Sequence, residues 1–157
     1  MLKASLVNPF LESAYSFLTQ ELGAEVSRGQ LRLEESRATS GEVNVAIGVT
    51  GEAEGIVLYC MSERTAKAIA GALIGDAVPV FDNLAESAIA EMGNIITGQA
   101  AVGLEEHGYT CKLSPPTIIS GKGVVISTLD IQRLIIPLDL SLGHLDICVA
   151  LRYLVTR

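Results

Sequence analysis

Glu91 and Asn94 are the residues of this chain whose types and spacing point most directly to chemistry. They stand one helical turn apart in NLAESAIAEMGNIITGQAAVGLEEHG, residues 83–108. A carboxylate can hold a cation. A carboxamide both accepts and donates hydrogen bonds, and it does not titrate. At 100° per residue, Ser87, Glu91, Asn94, Gly98 and Ala101 fall on one narrow stripe, while Ile89, Met92, Ile96 and Ala100 fall on the opposite side. The acid and the amide therefore point away from the core. Asn94 has Ala90 at i−4 and Gly98 at i+4, so neither neighbour covers it and a partner can approach the amide. Asn is a poor interior helix residue because its side chain competes for backbone hydrogen bonds. Placing it mid-helix with Gly93 and Gly98 costs stability, which a function would offset. The chain contains this Glu-x-x-Asn spacing once.

The segment that carries the pair reads as a helix of about six turns. Asn83 is suited to cap it, Glu86 to complete a capping box, and Gly108 to stop it. His107 falls on the core side of the wheel, near the C-terminus. An earlier helix is expected to start at Asn8-Pro9, a cap followed by Pro at N1, and to run to about Leu22. Ser62 caps a third helix over 63–74, closed by Gly75. Strands are expected at 30–36, 42–50, 54–61, from 109 to 114, within 118–128, and at 134–140 and 145–155. Gly51 turns the first apolar pair and Gly143-His144 the last. The two halves resemble each other. Asn8-xxx-Glu12-xx-Tyr15 has the spacing of Ser87-xxx-Glu91-xx-Asn94, and the pair 43–60 resembles the pair 134–151. Helices and strands mix without regular alternation, which predicts an α+β fold with two layers. Its long helices would pack on a largely antiparallel sheet, in one domain over residues 1–157.

Composition narrows the function classes. Apolar residues make up 49% of the 157, enough for a core, and the net charge of −7 with no basic run argues against a nucleic-acid surface. There is no signal-like h-region and no apolar stretch of membrane-spanning length, so a cytoplasmic protein without membrane insertion is expected. Cys60, Cys111 and Cys148 lack metal-ligand spacing and read as buried reduced thiols. No metal site is expected. Gly121-Lys122-Gly123 reads as a turn rather than a phosphate loop.

Ser87-xxx-Glu91-xx-Asn94, with Pro116 downstream, resembles the signature of the CheC/CheX-type chemotaxis phosphatases, and the chain is most similar to the CheX branch. The similarity covers nearly the whole chain, including NPF, IGVTGEAEGIVLYCMS, SAIAEMGNIITG, SPPTIISG and IPLDLSLGHLDICVAL. Tyr15 stands where a second active helix would carry Asn. Pro116 lies one residue closer to Asn94 than the family spacing, a difference that a loop deletion accommodates. The resemblance implies a substrate, the phosphoaspartate of a CheY-type response regulator. It implies that Asn94 orients the attacking water and that Glu91 pairs with the regulator's Lys. Ser87, Ala90, Gly98, Ala101 and Pro116 would support the docking surface. No cofactor of the protein's own is implied, because the regulator holds Mg²⁺. A homodimer joined through β-strands is also implied. The competing expectation is a non-catalytic partner-binding module related to flagellar rotor-switch proteins.

Overall fold

The computed structural model describes residues 4–34, 37–39, 41–128 and 130–153. Its elements run in the order α1 (Ala4–Gln20), β1 (Val26–Arg28), β2 (Arg32–Glu34), β3 (Arg37–Thr39), β4 (Val43–Gly51), β5 (Ala53–Met61), α2 (Glu63–Ile74), α3 (Asn83–Glu106), β6 (Cys111–Leu113), β7 (Thr117–Ser120), β8 (Val125–Ser127), β9 (Arg133–Leu140) and β10 (Gly143–Tyr153). The strands of the main sheet lie in the order β1-β9-β10-β5-β4-β6, with β2 also on β9 and β7 also on β4. All of these pairings are antiparallel. Strands β3 and β8 form a small separate pair. The class is α+β, with helices packed on an antiparallel sheet.

The internal duplication is visible in the topology. A helix followed by five strands occurs twice, and α2 joins the two series. The hairpins β4–β5 and β9–β10 meet along β5 and β10, from Leu145↔Met61 to Tyr153↔Ala53. The short strands are exchanged. Strands β1 and β2, which follow α1, pair with β9 of the second half. Strands β6 and β7, which follow α3, pair with β4 of the first.

Side chains alternate across the central strands, and both faces are apolar. Val45 and Ile47 of β4, Val57 and Tyr59 of β5, and Ile147 and Val149 of β10 face the helices. Phe10, Phe17 and Leu18 of α1, Ile69 of α2, and Ile89, Met92, Ile96 and Leu104 of α3 meet them there. Ala46, Leu58, Cys60, Ile135 and Cys148 point to the other face and join Ile126 of β8 in a second, smaller cluster. Such double-sided burial explains why these strands read as near-continuous apolar runs.

Several local expectations need correction. Helix α1 begins at Ala4 and carries Pro9 inside it, not at N1. The missing Pro9 N–H would have met only the carbonyl of Ser5, in the first turn. Burial of Leu6 and Val7 and the packing of Pro9 beside Gly103 hold that turn in place. The cap of α3 is Asp82, whose Oδ1 accepts from the Ala85 N–H at 2.9 Å, so Asn83 opens the helix and Glu86 lies one position too late for a capping box. The last hairpin turns at Ser141-Leu142, and Gly143 opens β10, paired with Leu140. Gly143 has φ +136 and presses on α2, where a Cβ would meet Thr65 Oγ1 at 2.2 Å. The positive φ and that contact both require the glycine. The cap of α2 is as expected, with Ser62 Oγ accepting from the Thr65 N–H at 3.1 Å and Gly75 left-handed. Positions 35–36 and 154–155, expected to end two strands, lie outside the described residues.

Candidate functional site

Helix α3 crosses the sheet with one side buried and the other open. Ile89, Met92, Ile96 and Ala100 are fully buried, together with Ala85, Thr97 and Leu104. Ser87, Glu91 and Asn94 are exposed on the opposite side, and Ala90, Gly98 and Ala101 are half-buried between them. No hydrogen bond or ion pair among the described residues occupies the side chain of Glu91 or Asn94. The carboxylate and carboxamide stand one turn apart and are free for an external partner.

The two helical glycines differ in purpose. A Cβ at Gly93 would lie 2.9 Å from Val45 Cγ1 and 3.3 Å from Tyr59 Cδ2, so Gly93 lets the helix approach the sheet. A Cβ at Gly98 would meet nothing within 4 Å. Packing does not require Gly98; it leaves open space one turn beyond Asn94. Two buried hydroxyls then fix the helix. Thr97 Oγ1 donates to the Gly93 carbonyl at 2.7 Å and has no second proton, so the 2.7 Å contact with Tyr59 is a bond donated by the Tyr59 hydroxyl. Burial pushes the Tyr59 phenol well above its ordinary range, which keeps the donor protonated. Sequence reasoning misses Tyr59 and Thr97. The available signal is a threonine on an otherwise apolar stripe, four residues after a glycine.

Pro116 lies apart from the helical set, half-buried in the loop between β6 and β7. Both of those strands pair with β4. Ser114 secures the loop. Its Oγ accepts from the Gly48 N–H at 2.8 Å and donates to the Pro115 carbonyl at 3.1 Å.

On α1, Glu12 and Tyr15 are also exposed, beside an open groove of about 720 Å³ that includes Leu11, Arg28 and Leu31. Tyr15 carries no carboxamide, so this face lacks the pair found on α3. His107 is exposed rather than core-facing, because Nδ1 turns to the Gly103 carbonyl at 2.9 Å and satisfies a free carbonyl at the helix end. Gly121-Lys122-Gly123 is a turn between β7 and β8, as expected. Cys60 and Cys148 are buried with their sulfurs 3.8 Å apart, whereas Cys111 is only half-buried. Among the described residues, no group of three or more His, Cys, Asp or Glu is arranged to hold a metal ion. No described helix is long and apolar enough to cross a membrane.

Known proteins share the fold. Residues 43–139 match the family model described as chemotaxis phosphatase CheX. The CheY-P phosphatase CheX of Thermotoga maritima is 32% identical over 126 residues, 80% of this chain and 81% of that protein. The crystal structure of the chemotaxis protein CheX from Desulfovibrio desulfuricans superposes with a TM-score of 0.83 at 25% identity, covering 94% of this chain and 98% of that one. CheX in the CheX-CheY-BeF3-Mg complex of Borrelia burgdorferi superposes with a TM-score of 0.82 at 28% identity, covering 94% and 97%. The family match over most of the chain, the Thermotoga relative and the shared fold lead to one conclusion: this chain belongs to the chemotaxis phosphatase CheX family.

Proposed function

We propose that this protein dephosphorylates the phosphoaspartate of a CheY-type response regulator, with Asn94 orienting the attacking water and Glu91 docking the regulator's Lys. The observation that carries the reading is the open Glu91/Asn94 pair on a helix fixed from beneath by Gly93, Thr97 and Tyr59. Hydrolysis of an acyl phosphate requires in-line water and charge stabilisation, with little covalent work from the protein. Water attacks phosphorus, the bond to the aspartyl oxygen breaks, and the carboxylate leaves. The regulator supplies Mg²⁺ and Lys beside the phosphoryl group. What remains is to hold the water. The Asn94 carbonyl accepts a hydrogen bond from it, and the NH₂ can donate to a neighbouring oxygen. Glu91, one turn earlier, fixes the register. Ser87, Ala90, Gly98 and Ala101 keep the approach low, and Pro116 supports it from the neighbouring loop.

The test is the decay of a phosphorylated receiver domain with and without the protein. Asn94→Ala should lose on the order of a hundredfold in rate, with its melting temperature unchanged or slightly raised because Ala is the better helix former. Full activity in that variant would overturn the mechanism and favour a non-catalytic docking module. We also propose a homodimer joined through β-strands, leaving α3 free. The half-buried Ile56, Ile119 and Val124 around the second cluster support it as surface that another copy would cover. A monomer by light scattering at tens of micromolar would count against it.

A further inference from the structure

Glu91 and Asn94 cannot choose between regulators. In the reading above they meet a Lys and a phosphoryl group that all receiver domains share, so discrimination has to come from surface outside that shared site. The exposed face of α3 offers such surface. Leu84 is 62% exposed and Val102 59%, while Val80, just before the helix, is 66% exposed. Leu84 precedes Glu91 by two turns and Val102 follows it by three, and both project within about 20° of its direction. Along the axis they lie roughly 10 Å and 16 Å from Glu91, on either side of it. Val80 is held at the entrance to the helix, where its carbonyl accepts from the Asp82 N–H at 2.9 Å. A lone exposed leucine is ordinary on a protein surface. Large apolar side chains in register on both sides of an exposed polar pair are the arrangement of anchors around a contact centre.

The spacing indicates the size of the occupant. Leu84 and Val102 are five turns apart, about 27 Å, close to the diameter of a small globular domain. A receiver domain that brings its phosphoaspartate over Asn94 must extend across both. We infer that Leu84 and Val102, assisted by Val80, are the apolar anchors that seat the receiver domain and select which regulator is accepted. This inference rests on the function proposed above and assigns affinity and specificity to the flanks, separate from the rate at the centre.

Three variants test it: Leu84→Ser, Val102→Ser and the double substitution. Leu33→Ser on β2 serves as a control, since Leu33 is a comparable 56% exposed and lies on another element. Two readouts are needed. One is Kd for a CheY-type receiver domain held in its active form by beryllofluoride and Mg²⁺. The other is KM and kcat for the phosphorylated receiver. Both Kd and KM should rise about tenfold in the double variant, the loss expected from two interface anchors, while kcat stays within about twofold and the control behaves as wild type. An unchanged Kd, an equal loss in the control, or a loss confined to kcat would overturn the inference. Asn94→Ala in the same assays separates it from the underlying reading. Lost kcat with retained Kd upholds that reading whatever the anchors do, and full activity removes the water-positioning role while the anchor result still stands on Kd. A wild-type chain that neither binds nor hydrolyses any of several CheY-type receiver domains would overturn both.

Discussion

Gly93 and Gly98 have the same residue type, the same helix and nearly the same depth in it, yet alanine at each should act in opposite directions. In both cases the substitution gains about 1 kcal/mol of helix propensity. At Gly93 the new methyl would sit 2.9 Å from Val45 Cγ1 and 3.3 Å from the Tyr59 ring. Val45 is fully buried on β4 and β-branched, so it has no free rotamer to give way, and Tyr59 is held by its bond to Thr97. Overpacking of this kind costs about 1–3 kcal/mol. The net for Gly93→Ala is therefore a loss of about 1 kcal/mol, or a melting temperature lower by about 2–4 °C for a chain of this size. At Gly98 nothing lies within 4 Å, so the propensity gain stands and the melting temperature should rise by a similar amount. The cost at Gly98 should appear in function, since its methyl fills the space one turn beyond Asn94. The assay is a pair of thermal melts with receiver-phosphate decay on the same preparations. A Gly93→Ala protein as stable as wild type would show that α3 is not fixed by close approach. A Gly98→Ala protein that is stabilised and fully active would refute the argument for clearance around the amide.

Two further outcomes follow from the charged groups. Glu91→Ala should weaken receiver binding as well as turnover, and the binding loss should shrink as salt is raised, because a charge-assisted contact is removed; a loss independent of ionic strength would rule out the Lys pairing. Burial lowers the His144 pKa, but hydrogen bonds to Asp139 at 2.9 Å and Asp146 at 2.7 Å outweigh it and hold the imidazole above its ordinary value. A raised folded pKa gives stability that is fully present below the unfolded pKa and lost as pH rises through the folded one. His144→Gln should therefore melt below wild type at about pH 5.5 and match it by about pH 8.5. Because His144 is half exposed the difference should be small, and a difference that widens with pH would refute the assignment.

The polar stripe of α3 is legible in the sequence because a long helix repeats with a fixed period, so Ile89, Met92 and Ile96 on one side place Glu91 and Asn94 on the other. Ser62 and Gly75 are legible as caps because each uses local chemistry alone. Two of the misplacements come from contacts with distant segments. Pro9 looks like a helix start until Gly103, far along the chain, provides a seat for its ring. Gly143 looks like a turn until Thr65 of α2 is pressed against it. Asp82 and Asn83 are both good caps, and the choice between neighbours is finer than composition resolves. Tyr59 and Thr97 escape a reading of the sequence because their bond joins a strand to a helix 38 positions later, and no periodicity carries that information.

The exchange of short strands between the halves has a consequence for how the molecule forms. Strand β1 reaches its partner β9 only after more than a hundred intervening residues have been made, since Val26 pairs with Leu140 and Arg28 with Leu138. Neither half closes its own sheet: the first needs β6 and β7, the second β1 and β2. Such long-range pairing slows folding, because loop-closure entropy must be met before the contacts that offset it exist. It also ties the two halves into one cooperative unit despite their common pattern. Polypeptides cut within residues 76–80, the loop between α2 and α3, should each remain unfolded alone and recover the fold when mixed. A protein built from a repeated plan has in this way lost the independence that repetition usually confers.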